Sequence, residues 1–239
     1  MQYPLLNLAL SPLLLAQGMY VRKTTPRLPE PSGERNGKIG AGPTLRLLIL
    51  GDSAAAGVGA NIQADALSGQ LSEQLAAHFH TDWQLWAKNG YTSQDILNVL
   101  NTQSAEPFDA VLISIGVNDI TSGLSQAAWL IKQNELIEKL TRKFSAQLII
   151  YSALPPMHYF PALPQPLRWV LGERAKQFNT ALQQLIAQHS NCQLVQNDMP
   201  MQAHFMASDG FHPSATSYSL WAKQVSEIIQ KRNSPRTLA

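Results

Sequence analysis

Leu45-Arg46-Leu47-Leu48-Ile49-Leu50-Gly51-Asp52-Ser53 is a short apolar run that stops abruptly at a glycine, an acid and a serine. It is too short for a surface helix. Every side chain from Leu45 to Leu50 except Arg46 favours burial, the pattern of a central parallel strand covered on both faces. Such a strand delivers Ser53 to the carboxyl edge of its sheet. The following Ala54-Ala55-Ala56-Gly57-Val58-Gly59 is small enough for backbone to pass close to backbone. A tight turn can then set Ser53 at the start of the next helical segment, where free N–H groups gather negative charge. As a helix cap Ser53 would need nothing more. As a nucleophile it needs a base and an oxyanion site supplied from elsewhere in the chain.

The remaining sequence bounds the setting. A chain of 239 residues suits one domain with a substantial core. Lys and Arg number 18 against 16 Asp and Glu and form no stripe, which excludes a nucleic-acid reading. Cys192 is the single cysteine, so no internal disulfide forms, and its apolar surroundings in sequence suit a small buried side chain.

Met1–Val21 carries no charge and is rich in leucine, but Pro4, Asn7, Pro12 and Gln17 interrupt it. It lacks both the positive n-region and the small-residue cleavage site of a secretory signal, and is a marginal span. The expectation is an apolar helix lying on the domain or at a membrane surface. Arg22, Lys23 and Arg27 follow, so if the segment touches a bilayer the positive-inside tendency puts the rest of the chain on the cytoplasmic side, and the expected location is the cytoplasm, at the inner face of any membrane it meets. A signal function for residues 1–21 would instead make it periplasmic or secreted. Thr24–Pro43 turns to Pro, Gly and charge and reads as an extended linker. The expected division is therefore 1–43 for helix and linker, 44–232 for the domain and 233–239 for a tail.

Beyond Ser53, helical spacing over Leu67–Ala77 alternates with a strand at Trp83–Ala87 that ends at Lys88-Asn89-Gly90. A helix starting near Thr92 leads to the buried strand Asp109–Ile115, which stops at Gly116-Val117-Asn118-Asp119. A helix over Ser125–Phe144, a strand over Gln147–Tyr151, a proline-broken apolar loop over Leu154–Pro166, a helix over Leu167–His189, a strand over Gln193–Val195 and a helix over Ala215–Gln230 complete the pattern. Strict alternation of strand and helix predicts an α/β fold, a three-layer α/β/α sandwich on a five-stranded parallel sheet. All strand exits then share one rim, which gathers Ser53, Gly90, Asn118, the Leu154–Pro166 loop and the segment before His212.

Five of the six histidines are expected to end helices or to lie in loops without an acid at useful spacing. His212 differs. In Ser208-Asp209-Gly210-Phe211-His212-Pro213 an acid precedes it by three residues, and Gly210 permits the turn that folds the carboxylate back onto Nδ1. With Nδ1–H so held, Nε2 is left to accept the Ser53 proton. The Ser53 and Gly90 backbone N–H groups and the Asn118 amide are the available oxyanion donors on the rim.

Gly51-Asp52-Ser53, Gly90, Gly116-Val117-Asn118-Asp119 and Asp209-Gly210-Phe211-His212, in this order on successive strand exits, resemble the Ser-Gly-Asn-His (SGNH) hydrolases, the GDSL lipases and esterases. The resemblance covers Leu45–Gln230 and implies a flavodoxin-like sheet. It makes Ser53 the nucleophile, His212 the base, Asp209 its orienter, and Ser53, Gly90 and Asn118 the oxyanion hole. Ala54 departs from the leucine of the family motif. Asp52, Tyr91, Asp119, Tyr159, Phe160 and Phe211 are the expected substrate contacts. The implied reaction is hydrolysis of carboxylic esters with short to medium acyl chains through an acyl-enzyme, with no metal or cofactor. The substrate would be a small-molecule or lipid ester, with peripheral membrane contact through residues 1–21. Acetylated carbohydrates, thioesters and lysophospholipids are the alternative substrates. A nucleotide-binding flavodoxin-like module is the non-hydrolase alternative, but Gly51–Ala60 lacks the Lys-Ser/Thr ending of a P-loop and any complete G-x-G-x-x-G.

Overall fold

The Leu45–Leu50 run lies at the centre of the sheet, with a parallel strand on either side. The computed structural model describes residues 4–196 and 202–233. Its strands are β1 (Asn36–Ile39), β2 (Thr44–Gly51), β3 (His80–Ala87), β4 (Ala110–Ser114), β5 (Ile149–Ser152) and β6 (Cys192–Val195), in the spatial order β1-β3-β2-β4-β5-β6. The helices are α1 (Pro4–Thr24), α2 (Ser53–Ala56), α3 (Leu67–Ala76), α4 (Ser93–Thr102), α5 (Val117–Thr121), α6 (Gln126–Lys143), α7 (Leu167–Ile186) and α8 (Ala215–Asn233). Residues 1–3 and the expected tail beyond residue 233 lie outside the described residues.

Strands β2 to β6 are parallel, as strand–helix alternation requires. The sheet has six strands rather than the expected five, because β1, inside the stretch read as linker, pairs antiparallel with β3 from Asn36 opposite Gln84 to Ile39 opposite Thr81. The edge packs closely at Gly37, where a Cβ would stand 3.1 Å from the Trp83 indole nitrogen. His80 opens β3 instead of ending a helix, and its Nδ1 lies 3.0 Å from the Gly40 carbonyl.

The pleat of β2 divides its side chains between two cores. Leu48 and Leu50 join Leu97, Ile113, Trp129, Leu136 and Phe178 on the face covered by α4, α6 and α7. Leu45, Leu47 and Ile49 join Leu71, Leu75, Tyr218, Trp221 and Val225 under α3 and α8. Arg46, the one charged residue of β2, escapes burial by reaching Asp109 just before β4. Its Nε and Nη2 donate to Oδ2 and Oδ1 at 3.1 and 3.0 Å, and its backbone N–H donates to Oδ2 at 2.8 Å.

Helix α1 packs on the same face as α7. Val21 enters the core, Leu14 packs against it, and the Gln17 side chain clasps the start of α7, donating to the Gln165 carbonyl (2.6 Å) and accepting from the Leu167 N–H (3.1 Å). No described helix is long and apolar enough to cross a membrane. The strand order reverses direction at β2, so the crevice between the carboxyl ends of β2 and β4 is the topological switch point where open α/β sheets hold ligands.

Candidate active site

Ser53 follows β2 directly at the switch point. Gly51 allows the exit: a Cβ there would lie 2.0 Å from the Ser114 carbonyl of β4, which also accepts the Asp52 N–H at 3.1 Å. Asp52 caps the four-residue α2, its Oδ1 accepting the Ala54 N–H at 3.1 Å. The turn beyond α2 then abuts the segment that carries His212. Gly59, with φ +106°, would place a Cβ 2.2 Å from the Pro213 carbonyl, and the buried Tyr218 hydroxyl of α8 donates to the Val58 carbonyl at 2.6 Å.

These contacts bring residues 159 positions apart into hydrogen-bond range, with Ser53 Oγ 2.8 Å from His212 Nε2. His212 Nδ1 lies 2.6 Å from Asp209 Oδ2, while Asp209 Oδ1 accepts the backbone N–H groups of Phe211 (2.9 Å) and His212 (3.0 Å). Burial alone would raise the Asp209 carboxyl. The bonds from His212 and from the two backbone donors outweigh it and hold the group below the ordinary carboxylate range. An ionised carboxylate only accepts, so Nδ1 donates to it, and neutral His212 presents a bare Nε2 to the Ser53 hydroxyl.

Ser53, Asn118 and His212 line one cavity of about 790 Å³, whose other walls are mostly apolar: Leu14, Leu15, Ile120, Leu154, Phe160, Leu163, Leu167, Leu171 and Phe211 among them. The Asn118 amide donates one hydrogen to the Tyr91 carbonyl (2.9 Å), which fixes its orientation and leaves its second hydrogen for a ligand. The Ser53 and Gly90 N–H groups engage no acceptor among the described residues. Gly90 adopts φ +86° beside the lining residue Asn89 but is not itself part of the wall.

Of the expected substrate contacts, Asp52, Phe160 and Phe211 face the cavity, and the two phenyl rings meet edge to face at 5.7 Å. Asp52 is almost fully buried, and that burial pushes its carboxyl up to about 7 against the opposing pull of the Ala54 N–H and His212. Asp119, Tyr91 and Tyr159 do not line the cavity. Asp119 instead accepts the Ser93 hydroxyl (2.8 Å) and N–H (3.1 Å), tying α5 to the first turn of α4. Tyr91 packs against the core, and Tyr159 is 57% exposed with its ring 4.0 Å from that of His158.

Sequence reasoning missed the contribution of α1, from which Leu14, Leu15, Gly18 and Met19 form one wall. The signal was present as inward positions 14, 18 and 21 at helical spacing, masked by leucine on the opposite face. It also missed Arg174 of α7, a lining residue with no ion pair among the described residues. Arg174 donates through Nη2 to the Leu124 carbonyl at 2.8 Å, sits over the Phe178 ring, and is lowered in pKa by burial. No cluster of three His, Cys, Asp or Glu side chains able to hold a metal occurs among the described residues.

Residues 49–220 match the profile of the GDSL-like lipase/acylhydrolase family. No curated protein sequence matches the chain significantly. Among solved structures, the psychrotrophic esterase EstA of Pseudoalteromonas sp. is 20% identical with a TM-score of 0.60, over 78% of this chain and 97% of its own. The acetylxylan esterase Axe2 of Geobacillus stearothermophilus is 18% identical with a TM-score of 0.57, over 81% and 96%. The lipase Lip_vut3 from a goat rumen metagenome is 17% identical with a TM-score of 0.57, over 77% and 96%. The family profile thus spans both the strand that delivers Ser53 and the turn that carries His212, and the chain belongs to the GDSL-like lipase/acylhydrolase family and is a carboxylic ester hydrolase.

Proposed function

We propose that this enzyme hydrolyses carboxylic esters with short to medium acyl chains, including lipid-like ones, through an acyl-enzyme on Ser53. The observation that carries the reading is the unbroken series Asp209–His212–Ser53, at 2.6 and 2.8 Å, opening on an apolar cavity of about 790 Å³. Ser53 Oγ attacks the ester carbonyl while His212 Nε2 takes its proton. The developing oxyanion is met by the Ser53 and Gly90 N–H groups and the free Asn118 hydrogen. The tetrahedral adduct then collapses: the bond from the carbonyl carbon to the leaving oxygen breaks, His212 returns the proton to that oxygen, and the acyl group stays on Ser53. Water, activated by the same imidazole, then splits the acyl-enzyme into acid and free Ser53.

A cavity of this size, walled by leucine and phenylalanine and by α1, favours acyl groups longer than acetyl. Labelling with a fluorophosphonate tests the nucleophile: wild type is expected to take up one probe and Ser53→Ala none. Nitrophenyl esters of increasing chain length test the substrate class, with kcat/KM expected to rise from acetate to medium chains. Hydrolysis confined to acetylated sugars would defeat the proposal.

A further inference from the structure

Helix α1 carries an apolar face that the fold leaves uncovered. Leu14, Gly18 and Val21 turn toward the cavity and core, but the opposite arc, roughly 160° wide at 3.6 residues per turn, holds Leu15, Met19, Pro12, Ala16, Tyr20 and Leu13, with Lys23 at its C-terminal end. All seven are exposed. Of eight large apolar side chains exposed among the described residues, four are here: Leu13 at 46%, Leu15 at 69%, Met19 at 68% and Tyr20 at 63%. Leu15 and Met19 also line the cavity, so apolar surface runs without a break from its mouth to the outside of the molecule.

Charge indicates what covers this face. No acidic residue precedes Glu30, and the exposed cations Arg22, Lys23 and Arg27 follow the apolar arc with no ion pair among the described residues. We propose that α1 docks the enzyme on an anionic lipid bilayer, lying in the interface with Leu13, Leu15, Met19 and Tyr20 among the acyl chains and Arg22, Lys23 and Arg27 against lipid phosphates. A symmetric second copy would cover the apolar arc but crowd the same three cations together. The inference deepens the ester-hydrolase reading by giving amphiphilic substrates an apolar path from bilayer to Ser53. Docking itself requires no catalysis.

Flotation of the full chain with phosphatidylglycerol/phosphatidylcholine vesicles, against pure phosphatidylcholine vesicles, tests the proposal. Wild type is expected to bind the anionic vesicles at least about tenfold more tightly and to be released by high salt. Leu13→Glu/Tyr20→Glu is expected to weaken that binding by about tenfold or more, and Lys23→Glu/Arg27→Glu to reduce it to the phosphatidylcholine level. None of these four residues lines the cavity, so both variants should keep wild-type circular dichroism and hydrolysis of a soluble short-chain ester. Failure of wild type to float with anionic vesicles overturns the proposal, as does undiminished binding by Leu13→Glu/Tyr20→Glu. A dimer abolished by the same substitutions, without vesicle binding, overturns it in favour of a second copy. Ser53→Ala should bind vesicles as wild type does, so a failure of docking and a failure of ester hydrolysis are read separately.

Discussion

Replacing Asp209 by asparagine removes one charge and scarcely any volume, yet the hydrogen bonds at this position make it a severe test of the mechanism. Asp209 uses Oδ1 for two backbone N–H groups and Oδ2 for His212 Nδ1. Asparagine has one acceptor oxygen for three donors. Placing that oxygen on the two backbone N–H groups keeps both bonds and turns the NH₂ toward Nδ1, which forces the proton onto Nε2 and disables the base. The opposite orientation preserves the productive tautomer but sets NH₂ against two part-buried backbone donors. At about 1 kcal/mol for each of the two lost bonds, with up to about 2 kcal/mol more for leaving part-buried donors unpaired, the wrong orientation is favoured by roughly 2–4 kcal/mol. The productive tautomer then falls to about 3% or less, and the imidazolium formed during attack also loses its counter-charge. The expected loss in kcat/KM is about 10³–10⁴-fold, or about 4–5.5 kcal/mol of barrier. Hydrolysis of nitrophenyl butyrate, read with the rate of fluorophosphonate labelling and a check of unchanged Tm, measures it. A decrease of less than about tenfold in the folded variant would refute the assigned roles of Asp209 and His212.

Asp52→Asn should stabilise the fold increasingly as pH rises. The folded carboxyl holds its proton to about 7 while the unfolded one releases it near the ordinary value, so native stability drains away between about pH 4 and 7. The burden reaches about 2–4 kcal/mol at pH 8; asparagine does not titrate, so its Tm advantage should vanish near pH 4, and a pH-independent gap would contradict the assignment. Gly59→Ala, whose Cβ would meet the Pro213 carbonyl at 2.2 Å, should push the His212 segment away and lower kcat by about 10²-fold or more, with a smaller change in KM. Gly18→Leu adds a side chain where a Cβ meets nothing within 4 Å, on the wall of the cavity. It should raise Tm slightly, by replacing a helical glycine, and lower the ratio of medium-chain to acetate hydrolysis by about tenfold.

The parallel sheet was legible because β2 and β4 are apolar on both faces, and no other element accepts Leu47-Leu48-Ile49-Leu50. Strand β1 was not, because Asn36-Gly37-Lys38-Ile39 has no period and its pairing depends on a backbone edge supplied by β3, forty-odd residues on. The Asp209–His212 contact could be anticipated from the chain because the two residues sit three apart and form their bond locally. Asp119 was misassigned for the opposite reason: its partner, Ser93, lies 26 residues away, and nothing adjacent to Asp119 announces it. Helix α1 reads as apolar, but a helix apolar all round does not reveal which face meets the domain; the Gln17 clasp on Gln165 and Leu167 and the burial of Val21 set it.

The ion pair between Arg46 and Asp109 adds little energy at its half-exposed position, but it acts as a ruler. It couples β2 to the start of β4 at the far edge of the sheet, where Leu47 faces Ala110. A slip of one residue between these strands would slide Ser53 about 3.3 Å past Asn118 and turn every leucine of β2 to the wrong side. Alignment of Ser53 with Asn118 is thus set at the end of the strands remote from the cavity, so damage there would surface first as lost turnover in a protein that still looks folded.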